Sequence, residues 1–204
     1  MSEIKESVIT KSHLQKAISY AVYRKMIDDL MAEGKTTGEN HSENMIHYTK
    51  MNLQRMNRVE KTVELSDETV EALKGIDIKM VWVVLTEAWC GDAAQNIPVL
   101  AKIADASDNI ELMLLLRDEN LDVMDEYLTN GGRSIPKLVA LDAGSMDERF
   151  VWGPRPEPAQ EMMNDFKANP DGRTKQDLVI DIQKWYAKDR GVTMQKELVD
   201  LMKG

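Results

Sequence analysis

The sequence has little cysteine, a shortage of basic residues and no long apolar run. Lys and Arg number 26 against 35 Asp and Glu, which gives a net charge of −9. This balance disfavours nucleic-acid binding, because Lys and Arg supply most of the affinity for phosphates. No apolar run approaches the roughly 20 residues that a membrane-spanning helix needs. We therefore expect neither a nucleic-acid nor a membrane partner.

The chain contains one cysteine, Cys90, so no disulfide can form within it. The N-terminal residues MSEIKESVIT also lack the apolar segment of a secretory signal peptide. Together these features predict a cytoplasmic protein, because thiols are kept reduced in that compartment. Any disulfide made by Cys90 must then be formed with another molecule.

The first part of the sequence has helical periodicity. Ser12 and Gln15 form a capping-box pattern that predicts the start of a helix, and Gly34 is its predicted end. A second helix is predicted over about 42–61, and a third between Ser66 and Gly75.

The central part alternates strand and helix patterns in the order β-α-β-α-β-β-α, which predicts an α/β fold with a mixed sheet. The predicted strands are 79–85, 110–116, 136–142 and 149–152. One helix is predicted at 91–105, a second starts at Asp118 and ends at Gly131-Gly132, and a third starts after Pro156 and Pro158. After this part, Thr174 and Asp177 cap the first of two further helices.

These patterns divide the chain into three segments. A helical extension at 1–75 precedes an α/β core at 76–168, and a second helical extension follows at 169–204. Neither extension has enough apolar surface for a core of its own, so both should pack on the central part.

One short motif carries chemistry: the run Trp-Cys-Gly-Asp-Ala at 89–93, where a predicted strand gives way to a helix. Backbone N–H groups and the positive end of the helix dipole stabilise a thiolate at Cys90. The carboxylate of Asp92 opposes this, because it takes up the same N–H groups and repels a second negative charge. We therefore expect a Cys90 pKa at or above about 8.5, unless an arginine offsets Asp92.

The motif and two further positions resemble the thioredoxin family. Thioredoxins open the same helix with Trp-Cys-Gly-Pro-Cys, and Pro98 matches the proline that kinks that helix. Ile135-Pro136 matches the Ile-Pro pair whose cis bond faces the sulfur and presents backbone to a bound thiol or peptide. The runs at 131–136 and 152–156 also resemble uncharacterised bacterial thioredoxin-like proteins with a Trp-Cys-Gly-Asp site.

This resemblance implies a thioredoxin-like fold over about 78–168, with a cis bond before Pro136. It implies catalytic roles for Cys90 and Asp92. It also implies contacts to substrate from Trp89, Gly91, Ile135 and Pro136.

The departures from thioredoxin restrict the chemistry. The resolving cysteine is replaced by Ala93, so a cycle between a dithiol and its disulfide is unavailable. The buried aspartate that assists deprotonation in thioredoxins corresponds to Val84. No cofactor is implied, and a redox cycle would use an external low-molecular-weight thiol as co-substrate.

Three arginines are expected near the motif: Arg117, Arg133 and Arg155. Guanidinium groups bind carboxylates through paired hydrogen bonds, so these side chains could hold a carboxylate-bearing ligand such as a small thiol. They could equally pair with the nearby acids Glu87, Asp92 and Asp118.

Two functions remain open from the sequence. The first is monothiol exchange with a protein or small-molecule disulfide through Cys90. The second is a non-catalytic thioredoxin scaffold that binds a peptide or protein. No metal site is expected, because the three histidines lie in the predicted N-terminal helices, where we expect them to face solvent.

Overall fold

A mixed β-sheet lies at the centre of the structure, a computed structural model that describes residues 5–203. The strands are β1 (Lys5–Glu6), β2 (Met80–Thr86), β3 (Ile110–Leu116), β4 (Lys137–Asp142) and β5 (Asp147–Trp152). The helices are α1 (Lys11–Lys16), α2 (Tyr20–Ala32), α3 (Glu43–Thr62), α4 (Asp67–Lys74), α5 (Gly91–Asp105), α6 (Leu121–Met124), α7 (Glu157–Ala168), α8 (Lys175–Asp189) and α9 (Val192–Lys203). Residues 1–4 and 204 of the predicted extensions lie outside the described residues.

The strands follow the order β1-β5-β4-β2-β3 across the sheet. β2 is parallel to β3 and antiparallel to β4. All seven residues of β2 are buried, which agrees with the continuous apolar run that predicted a strand covered on both faces. The predicted α/β class and the mixed sheet are confirmed.

Helix α5 follows β2 after a short turn and has the predicted bounds. Almost all of its residues are buried, and Pro98 lies inside it. None of the helices among residues 5–203 is long and apolar enough to cross a membrane. The position of α5 places Cys90, its N-cap residue, beyond the carboxyl end of β2.

The predicted first helix is interrupted in the structure. The capping residue is Thr10 instead of Ser12, and α2 starts anew after Ser19, whose side chain accepts a hydrogen bond from the Val22 N–H. Between the helices, the backbone of Ile18 exchanges hydrogen bonds of 2.9 and 2.8 Å with Leu114 in the edge strand β3. This tertiary pairing satisfies the backbone that a continuous helix would have used.

The helix that was predicted to start at Asp118 and end at Gly131-Gly132 is much shorter in the structure. Asp118 lies in a single 3₁₀ turn at Arg117–Glu119, and α6 is one turn long. The Asp118 carboxylate accepts hydrogen bonds of 2.6 and 2.9 Å from Arg117, while its backbone N–H donates to Glu87. The Asp118 carboxylate, which was predicted to cap the helix, is therefore already bonded to Arg117.

Helices α2, α3 and α9, which lie outside the central part, share its apolar core. Tyr23 and Ile27 of α2, Met56 of α3 and Leu198 of α9 belong to the same buried cluster as the sheet. Helices α7 and α8 form a second cluster from Ala159, Leu178, Ile182 and Tyr186. On α8, Tyr186 is buried and Trp185 is half-buried against this second cluster.

We predict that the N-terminal extension depends on the core for its folding. Ile27 is 1% exposed, so Ile27→Ala should lower the free energy of unfolding by about 2–5 kcal/mol. Val22 on the same helix is 51% exposed, and Val22→Ala should change it by less than about 0.5 kcal/mol. Urea unfolding followed by tryptophan fluorescence measures both. Equal midpoints for the two variants would contradict the prediction.

Candidate functional site

The Cys90 thiol lies against the loop that precedes β4. It donates a hydrogen bond of 3.2 Å to the carbonyl oxygen of Ile135, and the Ala93 N–H donates to Sγ at 3.5 Å. The Ile135–Pro136 bond is cis, as the resemblance to thioredoxin predicted. Cys90 is only 9% exposed, so the thiol is enclosed between the start of α5 and this loop.

A second turn supports the cis-proline loop from behind. Gly153 has a φ of 107°, and a Cβ atom at this position would collide with the carbonyl oxygen of Pro136. The buried Lys137 ammonium donates to the Gly153 carbonyl at 3.0 Å and to Thr129 Oγ1 at 2.6 Å. Burial lowers the pKa of Lys137 to about 8. The close approach of the two turns therefore requires glycine at position 153.

Asp92 is buried in the first turn of α5 and has partners from two distant segments. Its Oδ2 lies 2.6 Å from a guanidinium nitrogen of Arg155, and its Oδ1 accepts a 3.1 Å hydrogen bond from Tyr186. Asn96 donates to the Tyr186 hydroxyl at 3.0 Å. Burial raises the pKa of Asp92, and the Arg155 guanidinium opposes that rise. We call Asp92, Asn96, Arg155 and Tyr186 the Asp92 cluster.

The thiol of Cys90 is held in its protonated form. Burial is the largest cause and raises the Cys90 pKa to about 12, with a further contribution from the Asp92 carboxylate. The Ala93 N–H and Arg155 oppose the rise without cancelling it. The direction expected from the sequence is confirmed, but burial outweighs Asp92, the cause that the sequence had suggested.

Each of the three arginines predicted near the site holds a carboxylate. The pairs are Arg117 with Asp118 at 2.6 Å, Arg133 with Asp125 at 2.6 Å, and Arg155 with Asp92 at 2.6 Å. The structure therefore agrees with the alternative in which the three arginines pair with nearby acids. The partner of Arg133 is Asp125, an acid that the sequence had not suggested. Glu87 forms no pair with an arginine within residues 5–203; its Oε1 accepts the Asp118 backbone N–H at 2.9 Å.

A partly exposed rim borders the enclosed thiol. The Arg117 guanidinium lies 4.8 Å from the ring centre of the half-buried Trp89 and donates to the Arg133 carbonyl at 3.2 Å. We define the rim as Trp89, Arg117 and the segment 133–136. It brings together five of the residues predicted to contact substrate, whereas Arg155 lies in the Asp92 cluster and Gly91 adjoins α3.

Two residues of α3 that the sequence did not suggest also reach the site. The Asn52 side chain donates to the Ala88 carbonyl at 2.8 Å and accepts from Arg55 at 2.8 Å. Arg55 Nη1 lies 3.1 Å from where a Cβ on Gly91 would be. Asn52 lies four residues before Met56, on the apolar side of the helix. A polar residue on that side is the sequence feature that could have predicted its buried contact. The start of α5 is therefore covered by α3 as well.

Two of the three histidines, His41 and His47, are exposed as predicted. His13 departs from the predicted solvent-facing position, because its Nε2 lies 3.1 Å from Asp122 and its side chain is 13% exposed. Within residues 5–203, no three His, Cys, Asp or Glu side chains lie close enough together to hold a metal ion.

The contribution of Asp92 to the thiol can be measured. Asp92→Asn should lower the Cys90 pKa, because it removes a negative charge and leaves Arg155 close by. Iodoacetamide labelling as a function of pH reports this pKa. Asp105→Asn, at the exposed far end of α5, is the matched control and should leave the pKa unchanged. An unchanged labelling profile in Asp92→Asn would show that burial alone sets the pKa.

Comparisons with known proteins agree with this geometry. A thioredoxin family model matches residues 38–167, and no curated protein matches the chain. The fold resembles a protein of unknown function from Pseudomonas aeruginosa, with 17% identity, a TM-score of 0.59 and coverage of 92% of this chain and 98% of that one. It also resembles an HIV epitope-scaffold, with 18% identity, a TM-score of 0.56 and coverage of 92% and 99%. The chain has a thioredoxin-like fold and belongs to the thioredoxin family.

Proposed function

We propose that this thioredoxin-family protein binds a peptide or protein segment and that Cys90 is a protonated thiol beneath the binding surface. The observation that carries the proposal is the enclosed Sγ–H, which donates to the Ile135 carbonyl, and its burial raises the Cys90 pKa to about 12. Thiol exchange requires the thiolate, and this environment disfavours it. We also propose that the chain is one of the single-cysteine Trp-Cys-Gly-Asp bacterial proteins that it resembles and that it works in the cytoplasm.

The proposed binding surface is the rim. Tryptophan and arginine are the side chains most enriched among the residues that dominate protein binding, and the rim presents Trp89 and Arg117 in contact with each other. Arg133 is exposed, and Ile135 and Pro136 provide the backbone behind them. A partner with an acidic side chain would meet the Arg117 guanidinium beside the tryptophan ring.

In this proposal Asp92 and Arg155 position the site without touching the partner. Their ion pair is largely buried, with side-chain exposures of 12% and 14%. Breaking a buried ion pair by removing one partner costs about 3–5 kcal/mol, because the other charge is left uncompensated. The pair therefore holds the start of α5, and with it Trp89, in a single arrangement.

Monothiol exchange is the second candidate, and the location of Cys90 at the N-cap of α5 favours it. The Cys90 thiolate would attack one sulfur of a partner disulfide, and the other sulfur would leave as a thiolate. An external thiolate would then attack the mixed disulfide and release Cys90, because Ala93 cannot do so. Each exchange leaves the number of disulfides unchanged, and the proton of the thiol passes to solvent.

Reactivity toward oxidised glutathione distinguishes the two candidates. With a pKa near 12, the native chain carries roughly a thousandth of the thiolate of an ordinary cysteine at neutral pH. We therefore expect mixed-disulfide formation at Cys90, followed by mass spectrometry, to be at least about a hundredfold slower in the native chain than in urea. If Cys90 forms the mixed disulfide as fast in the native chain as in urea, monothiol exchange is favoured.

A second experiment tests binding by the rim independently of the thiol. Partners captured from cell extract under reducing conditions should be retained by Cys90→Ala and lost from Trp89→Ala and Arg117→Ala. Arg149→Ala, an exposed arginine on β5, is the control for the arginine substitution. Capture that needs Cys90 and is reversed by reductant would overturn the binding proposal.

A protonated thiol also predicts a pH dependence of stability. Between an unfolded pKa of about 8.5 and the raised folded value, the native chain keeps a proton that the unfolded chain has released. Stability should therefore fall as pH rises, and this group contributes up to about 1.4 kcal/mol per pH unit. Urea unfolding at about pH 8.5–10.5 should show the wild type losing stability relative to Cys90→Ala. Parallel profiles would mean that Cys90 ionises normally in the folded chain.

A further inference from the structure

Two arginines that were not predicted near the motif have no carboxylate partner among the described residues. Arg58 of α3 and Arg190, at the end of α8, form no ion pair within residues 5–203. Both line a pocket of about 190 Å³ between α3, α5 and the α8–α9 junction. In a chain with a net charge of −9, two unpaired guanidinium groups at one pocket are a local reversal of charge.

A hydrogen bond links Arg58 to the wall of the pocket. One guanidinium nitrogen donates to Gln95 Oε1 at 3.0 Å, and Gln95 Nε2 donates to Gln183 at 2.6 Å. Gln95 is 4% exposed, so this amide is anchored in the wall of the pocket. The other N–H groups of Arg58 and the whole side chain of Arg190 have no hydrogen-bond partner in the part of the chain that the structure describes.

The single acid that lines the pocket is already occupied. Both carboxylate oxygens of Asp189 accept the Thr193 N–H at 3.3 Å, and Oδ1 also accepts the Thr193 hydroxyl at 2.5 Å. These bonds satisfy the start of α9. Asp189 therefore does not neutralise the two arginines by direct contact, although its charge is nearby.

We propose that this pocket binds a small oxyanion group, a phosphate or a carboxylate. Guanidinium groups recognise both through paired charge-assisted hydrogen bonds, and two arginines from different parts of the chain line this pocket. The volume lies below the roughly 300 Å³ of pockets for drug-sized ligands, so the group bound is compact. The pocket shares Asn96 and Tyr186 with the Asp92 cluster, but the proposal does not depend on the binding function of the rim.

The test is an NMR titration of the full chain at constant ionic strength set with chloride. Inorganic phosphate and succinate are the two probes, and the Gly191 amide and the Gln95 side-chain amide are the reporters. Saturable shifts are expected with at least one probe, and the comparison identifies which oxyanion is preferred. Arg58→Gln and Arg190→Gln should each weaken binding by about tenfold or more.

Arg149→Gln is the matched control, because it removes the same charge from β5 and should leave the dissociation constant unchanged. Both pocket arginines are exposed, and unchanged melting temperatures would confirm that the variants fold. Shifts that fail to saturate with either probe would overturn the proposal. So would an equal loss of affinity in Arg149→Gln, which would indicate general attraction of anions to positive charge.

Discussion

The carboxylate of Asp92, buried in the first turn of α5, is the constraint on which the rest of the site depends. A charge removed from water needs both an opposite charge and hydrogen bonds, and here Arg155 and Tyr186 supply them. Tyr186 lies 94 residues after Asp92 in the sequence. The contacts that this one buried carboxylate requires therefore join helix α5, the turn before α7 and helix α8.

The same arrangement explains the state of the thiol. Cys90 lies where a helix start would favour a thiolate, yet the site is closed on one side by the cis-proline loop and contains a second negative charge two residues later. Desolvation penalises the thiolate more than the N–H groups stabilise it. A fold related to thioredoxin thus provides a neutral hydrogen-bond donor at the position of the family's reactive sulfur.

The arginines show how one side-chain type serves different purposes in one chain. Arg117, Arg133 and Arg155 each neutralise a neighbouring acid, and the first also stacks on Trp89. Arg58 and Arg190 line a pocket whose single acid, Asp189, is hydrogen-bonded to Thr193. Whether a guanidinium is structural or available to a ligand depends on which acid the fold brings beside it.

The sequence by itself determined the central element order, the bounds of α5 and the helix opened by Thr174. Its resemblance to thioredoxin at Ile135-Pro136 implied the cis bond beside the thiol. These features follow from local periodicity, capping chemistry and a short motif. Only the tertiary structure decided the break at Ile18, the one-turn α6, the partners of Asp92 and the burial of Cys90. Each of these depends on contacts between residues far apart in the chain, and such contacts leave no periodic trace in the sequence around either partner.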